Sequence, residues 1–266
     1  MKFRTHLLHA LLAQMLALGS AAHAGEEPIA TDRPDFVESS DVVGKGRLQL
    51  ETSLAWERDR QGGIKSRLAS TPTLLRVGIS EDWELRLETD GRLRQRSEAA
   101  GVSARTSGWS DLAIGAKWHH LDGDEETGRP GVAWLLHLDL DSGSGAFRGQ
   151  GVRPSLRGVA EWEFAGGWSL GVMPGIYRDR DESGQHYTGA IMAAVLGKSL
   201  NENLRVFVEL AGQQLTSSRH GGKVVTFDTG LAYTLTRDLQ LDVALSRGIS
   251  KTAPDLAWTV GVSTRF

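Results

Sequence analysis

The chain has 266 residues, with 30 basic against 33 acidic side chains and no cysteine. That charge balance gives no electrostatic footprint for nucleic acid. The lack of thiols excludes cysteine catalysis, zinc–thiolate sites and disulfide staples. After the first two dozen residues no run approaches the roughly 18 apolar residues of a transmembrane helix, although alternating strands can cross a membrane at a mean hydropathy below zero.

Residues 1–24 read as an export signal. Lys2 and Arg4 precede an apolar stretch from Leu7 to Leu18, and Ala22-His23-Ala24 offers a small-residue cleavage site. Its removal takes two basic residues and no acidic one, leaving 28 against 33 and a net charge near −5. Residues 25–44, with Pro28, Pro34 and four carboxylates between Glu26 and Asp35, show no alternation and are expected to form a periplasmic N-terminal segment. Residues 45–266 are expected to form one barrel domain.

From Lys45 the pattern has period two. Strand one, about 47–57, sets Leu48, Leu50, Thr52, Leu54 and Trp56 against Arg47, Gln49, Glu51 and Ser53. Strand two, about 66–79, contains Pro72 and leaves its faces ambiguous. Strand three opposes Trp83, Leu85, Leu87 and Thr89 to Glu84, Arg86, Glu88, Asp90 and Arg92, and residues 95–108 are expected to be a polar loop. Strand four (110–121) places Asp111, Lys117 and His119 on its polar face. Strand five (131–141) does the same with His137, Asp139 and Asp141, and strand six with Arg157, Glu161 and Glu163. Strand seven begins at Trp168. Strands eight (about 186–198), nine (203–215), ten (223–235), eleven (239–249) and twelve (255–266) complete the series. An even strand number, tight turns at one end and generally longer Gly-, Ser- and charge-rich loops at the other are the signature of a closed antiparallel up-and-down transmembrane β-barrel of about twelve strands.

The aromatic residues sort with that topology. Trp83, Trp118, Trp134, Trp162, Trp168 and Phe266 fall at one strand end and Trp56, Trp109 and Trp258 at the other, as two interfacial girdles require.

The expected lumen carries Glu51, Glu84, Arg86, Glu88, Asp90, Arg92, Lys117, Asp139, Arg157, Glu161, Arg205, Glu209 and Asp242. Such charges solvate and brace a polar interior, or bias which solutes pass. The mixed signs argue against a purely cationic or anionic filter. The histidines in strands (His119, His120, His137 and His186) and His220 in a loop have no serine motif beside them, so no catalytic residue is assigned. Asp139, Asp141 and Asp122-Gly123-Asp124 do not match an EF-hand, and Ser142–Gly151 lacks the ending of a phosphate loop, so neither metal nor cofactor is expected.

Thr31-Asp32-Arg33-Pro34-Asp35-Phe36 followed by Gly46-Arg47-Leu48-Gln49-Leu50-Glu51-Thr52 resembles the opening of the MetA-pathway of phenol degradation family. Thr71–Ile79, Glu84–Leu87, Gly108–Leu112 and Gly115–Lys117 look like its next blocks, over most of residues 31–266. The resemblance implies an outer-membrane barrel of transporter type and does not imply an enzyme. Phe266 likewise resembles the terminal signal read by barrel-assembly machinery. The expected function is passive passage of small solutes, aromatic or otherwise hydrophobic compounds among them, through a narrow charged lumen of a monomer embedded in outer-membrane lipid. The alternatives are a non-conducting structural or surface-interaction barrel and a lipid-modifying enzyme. Asp32, Arg33 and Asp35 are candidates to dock the N-terminal segment into the periplasmic mouth.

Overall fold

The computed structural model describes residues 28–181 and 183–266; the export signal expected at 1–24 lies outside them. The described residues form one antiparallel sheet of fifteen strand segments: β1 (Leu48–Gln61), β2 (Ile64–Ser70), β3 (Thr73–Gly78), β4 (Trp83–Thr89), β5 (Arg92–Ala99), β6 (Val102–Trp109), β7 (Leu112–Leu121), β8 (Gly131–Asp139), β9 (Arg153–Phe164), β10 (Trp168–Arg180), β11 (His186–Ser199), β12 (Leu204–Leu215), β13 (Lys223–Thr236), β14 (Leu239–Gly248) and β15 (Leu256–Arg265). Three pairs of segments are single strands with a local break: β2 with β3, β4 with β5, and β6 with β7. Twelve barrel strands result. The ring closes where β1 pairs with β15, from Gln49 opposite Arg265 to Arg58 opposite Leu256. Closure leaves no barrel edge, which an apolar solvent demands of every backbone N–H and C=O.

Alternation fixes the two faces. Outward side chains such as Leu54, Leu85, Leu136, Leu210, Leu245 and Val260 are about half exposed, while their neighbours Ser53, Glu84, Leu135, Glu209 and Asp242 are buried inside. A greasy wall of this extent belongs in lipid. Trp83, Trp118 and Trp134 stand side by side on adjacent strands at the end of the barrel that carries the C-terminus. Trp162 opposite Leu170, Trp168 opposite Phe164, and Phe266 beside Leu48 lie at the same end. Trp56 and Trp258 stack at the other end with ring centroids 4.0 Å apart, and Trp109 lies there too.

The break in strand two lies at Thr71-Pro72, where proline cannot donate a ladder hydrogen bond. Beyond it Leu74 and Arg76 point inward, which settles the ambiguous face. Residues 95–108 are not a loop. They lie mostly in β5 and β6, a hairpin turned at Ala100-Gly101 that stands beyond the barrel and pairs with β2. Polarity of both faces hid it, because a hairpin standing in water has no apolar face to reveal.

The second break, at Asp90-Gly91, changes the parity of strand three. Gly91 has φ +66°, a conformation that suits glycine, and a β-carbon there would strike Thr71. Past this bulge Leu93 faces inward, whereas Arg92 faces outward beside Trp109, with its guanidinium carbon 5.8 Å from the ring centre. Arg92 is therefore removed from the expected lumen set: simple alternation carried its register one residue too far.

Candidate functional site

Residues 28–46 form no strand, and the segment enters the barrel at the end that carries the C-terminus. Ile29 donates its N–H to Arg237 O at 2.7 Å, close to a turn at that end. The chain then passes inward and returns to the same end, where Gly44 packs on Gly78 so tightly that a β-carbon on Gly78 would overlap Gly44 O.

A buried irregular segment needs acceptors for every backbone N–H. Four barrel glutamates supply several of them. Glu51 accepts from Asp32 N at 3.1 Å, Glu84 from Val43 N at 3.0 Å, and Glu161 from Ser40 N. Glu209 accepts from both Phe36 N at 2.8 Å and Val37 N at 2.7 Å. Cationic and amide side chains serve the carbonyls. Arg76 donates to Ala30 O and Asp41 O, Lys117 to Ser39 O, and Gln49 to Ala30 O.

The segment also supplies charge. Lys117 Nζ lies 2.8 Å from Asp32, which also meets Arg86 at 2.5 Å and Arg76 at 3.5 Å. Arg86 and Arg157 each hold Glu38 at 2.7 Å, and Arg205 meets Asp35 at 2.9 Å. Arg33 meets Asp242 at 3.3 Å. In the linked cluster the barrel contributes four cations (Arg76, Arg86, Lys117 and Arg157) against Glu51 and Glu84. Asp32 and Glu38 bring the two missing negative charges. Burial works to raise the Asp32 carboxyl, but Arg76, Lys117 and Arg86 outweigh it and hold it far below the usual carboxylate range. Glu38 is lowered likewise: burial opposes ionisation, and Arg86, with Arg157 and His137, prevails over the repulsion of Asp32.

The lumen has two chemically different walls. β1, β3, β4 and β7, with Arg157 of β9, carry the charge cluster. On the facing strands Leu135, Val159, Met173, Ala193, Val195, Phe207 and Ala211 form a buried apolar cluster, against which Val37 and Phe36 of the inserted segment pack. Burying a side chain such as Val37 contributes roughly 1.5–3 kcal/mol. Sequence alternation missed this wall. Leu135 sits in the apolar run Val132–Leu136, where a lipid-facing and a core-facing residue look alike. Arg76 was missed because Pro72 obscured its strand.

Above the inserted segment the lumen opens into a vestibule of about 560 Å³. Glu88, Asp90 and Asp139 line it together with Arg153, Arg157 and Arg180, and Leu93 and Phe147 add apolar surface. The loop 142–151 forms its rim. Asp111 accepts from Gly143 N at 2.7 Å and Gly149 N at 2.8 Å and pairs with Arg153 at 2.7 Å. Thus Glu51, Glu84, Arg86, Lys117, Arg157, Glu161, Arg205, Glu209 and Asp242 surround the inserted segment, and Glu88, Asp90 and Asp139 lie in the vestibule beyond it. Among the described residues no group of side chains has the arrangement of a metal site.

The sequence profile of the family described as "Putative MetA-pathway of phenol degradation" matches residues 31–266. The chain belongs to this family. Its fold is similar to that of an outer membrane channel from Pseudomonas putida F1, at 12% identity and a TM-score of 0.60 over 86% of this chain and 98% of that one. It is similar too to the KdgM porin in complex with disordered oligogalacturonate, at 11% identity and a TM-score of 0.50 over 83% and 99%. The β domain of the Bordetella autotransporter BrkA matches at 12% identity and a TM-score of 0.51 over 83% and 99%. At these identities the likeness establishes the outer-membrane barrel fold. No curated protein sequence matches the chain.

Proposed function

We propose that this family member is an outer-membrane channel for small amphipathic solutes, closed on its periplasmic side by its own residues 28–44. The end with the short turns and the C-terminus faces the periplasm, and the vestibule faces outward. The observation that carries the reading is the pairing of an open vestibule with a lumen below it that is filled by a single strandless segment, residues 28–44. A barrel built only for structure could fill its interior with its own side chains. Here strand glutamates and cations are spent on a segment continuous with the chain's N-terminal part.

The two walls suggest the solute class. A small ring with one anionic or hydroxyl substituent would lay its apolar face on the Leu135–Phe207 side and its polar group toward the arginines. The vestibule volume falls in the range of small-molecule sites. The family's description points to phenolic compounds, which have this amphipathic form. Passage is passive, set by size and by the charged constriction, and displacement of the plug opens the path.

Planar-bilayer recording tests this. Wild-type protein is expected to conduct rarely or in small steps, and protein lacking residues 28–44 in larger, sustained ones. Liposomes loaded with the deleted form should swell faster in benzoate or a phenol than in a sugar of similar mass. No conductance from folded, heat-modifiable protein of either form would sink the channel reading.

A further inference from the structure

Outside the barrel, above the Trp56–Trp258 pair, four arginines lie side by side on four adjacent strands. Arg58 of β1 is directly opposite Arg67 of β2, Arg67 opposite Arg96 of β5, and Arg96 opposite Arg105 of β6. All four are exposed on the outward face. One row nearer the membrane, Trp258, Trp56, Ala69, Arg94 and Ser107 are aligned in the same way, and Arg92 is opposite Trp109 in the row below. Residues of these rows line a cleft of about 670 Å³. None of the six arginines has a carboxylate partner within ion-pair distance among the described residues. The next row outward, Arg60, Lys65, Glu98 and Ser103, sets one carboxylate against two further cations.

Like charges directly opposite on a sheet destabilise it. Neighbouring strands are about 4.8 Å apart, so each guanidinium in the ladder has a like-charged neighbour on at least one side. Folding alone gives this arrangement no return. Its height does: the arginines stand one alternation, about 7 Å, beyond Trp56 and Trp258. Those rings belong to the girdle that sits at headgroup level. The ladder therefore stands one row outside that girdle, from which a long arginine side chain can reach back to the lipid phosphates, and guanidinium is the side chain that grips phosphate through two parallel hydrogen bonds.

The geometry points to a binding site on this outer face for a phosphorylated glycolipid of the outer leaflet, lipid A being the type. Its phosphates bridge the Arg58–Arg67–Arg96–Arg105 ladder, and its acyl chains lie along the wall below Trp56 and Trp258. The bound lipid neutralises the ladder and holds the free-standing β5–β6 hairpin upright at the vestibule's side. This inference rests on the outward orientation given under Proposed function.

The test is native mass spectrometry of full-length folded protein titrated with bisphosphorylated lipid A, with its dephosphorylated form, with phosphatidylglycerol and with inorganic phosphate. Bisphosphorylated lipid A should bind stoichiometrically and at least roughly tenfold more tightly than the dephosphorylated form, as loss of charge-assisted hydrogen bonds predicts. R67Q/R96Q should lose that preference, R67K/R96K should recover only part of it, and R178Q, on another part of the outer wall, should retain it. Equal binding of phosphatidylglycerol, or retention by inorganic phosphate alone, would overturn the site as a glycolipid site. So would undiminished preference in R67Q/R96Q. The wild-type titration decides the matter even where a variant fails to fold. Conductance in bilayers of phospholipid only tests the channel separately, so failure of one reading leaves the other standing.

Discussion

Lys117 Nζ lies 2.8 and 3.0 Å from the two oxygens of Asp32, joining strand β7 to a segment 85 residues earlier in the chain. Lys117 is fully buried, and so is the carboxylate it meets. Removing one partner of such a pair strands the other and costs about 3–5 kcal/mol. Asp32→Asn is therefore expected to unseat the N-terminal segment and raise open probability in planar bilayers. Asp32→Asn combined with Lys117→Met should recover part of the closure, because the stranded cation goes with its partner. An Asp32→Asn protein with wild-type gating would show that this contact does not hold the segment.

Acid should open the same lock. Asp32 and Glu38 have depressed carboxyl pKa values in the seated state, where burial is outweighed by the neighbouring cations. A depressed carboxylate stabilises the seated state above its free pKa of about 4 and loses that contribution as pH falls through the lower seated value. Conductance should therefore be flat from pH 7 to about 5 and rise as pH falls below about 4. Asp32→Asn, with one of the two groups removed, should show a shallower rise. A rise centred near pH 6.5 would assign the control to histidine instead.

The fold was legible because a membrane barrel writes its pleat into the sequence: Trp83-Glu84-Leu85-Arg86-Leu87-Glu88 can be read as a strand with no other information. The site was legible only in part. Glu84, Arg86, Lys117 and Glu209 are visible as polar residues between apolar ones, but nothing in their spacing says that what they face is the chain's own segment rather than water. Alternation marks lipid-facing residues well, and an apolar lumen wall such as Leu135 and Phe207 defeats it. It also fails at a bulge, which is why Arg92 was expected inside. The β5–β6 hairpin, polar on both faces, carries no alternation at all.

Glu209 accepts two consecutive backbone N–H groups, Phe36 and Val37, at 2.8 and 2.7 Å. Glu209→Leu leaves both donors buried without an acceptor, at about 1–3 kcal/mol each. Glu209→Gln keeps one oxygen and turns an amide NH₂ toward the other donor, so its effect should be intermediate. The chain has no native cysteine, and Val37→Cys is therefore a clean reporter. Its labelling by a membrane-impermeant maleimide added on the periplasmic side should be slow alone, faster with Glu209→Gln and fastest with Glu209→Leu. Identical rates in the three backgrounds would remove Glu209 from the docking account.

At the opposite mouth Asp111 plays the matching part for a loop. Its carboxylate gathers Gly143 N, Gly149 N and Arg153, and Ser144 is tied to Trp109 by a backbone hydrogen bond of 3.0 Å. Asp111→Ala removes three contacts at once, while the Ser144–Trp109 bond stays. The rim should then loosen at its 145–151 end with the barrel intact. Trypsin added outside proteoliposomes should cut at Arg148 faster in Asp111→Ala than in wild type, with no change in the heat-modified gel shift. Asp111→Asn keeps one acceptor oxygen and loses the charge that pairs with Arg153, so it should cut at an intermediate rate. A loop fixed instead by its own 3-10 turn at Gly145–Phe147 would resist trypsin equally in all three proteins, and Asp111 would then be a lining residue of the vestibule rather than its anchor.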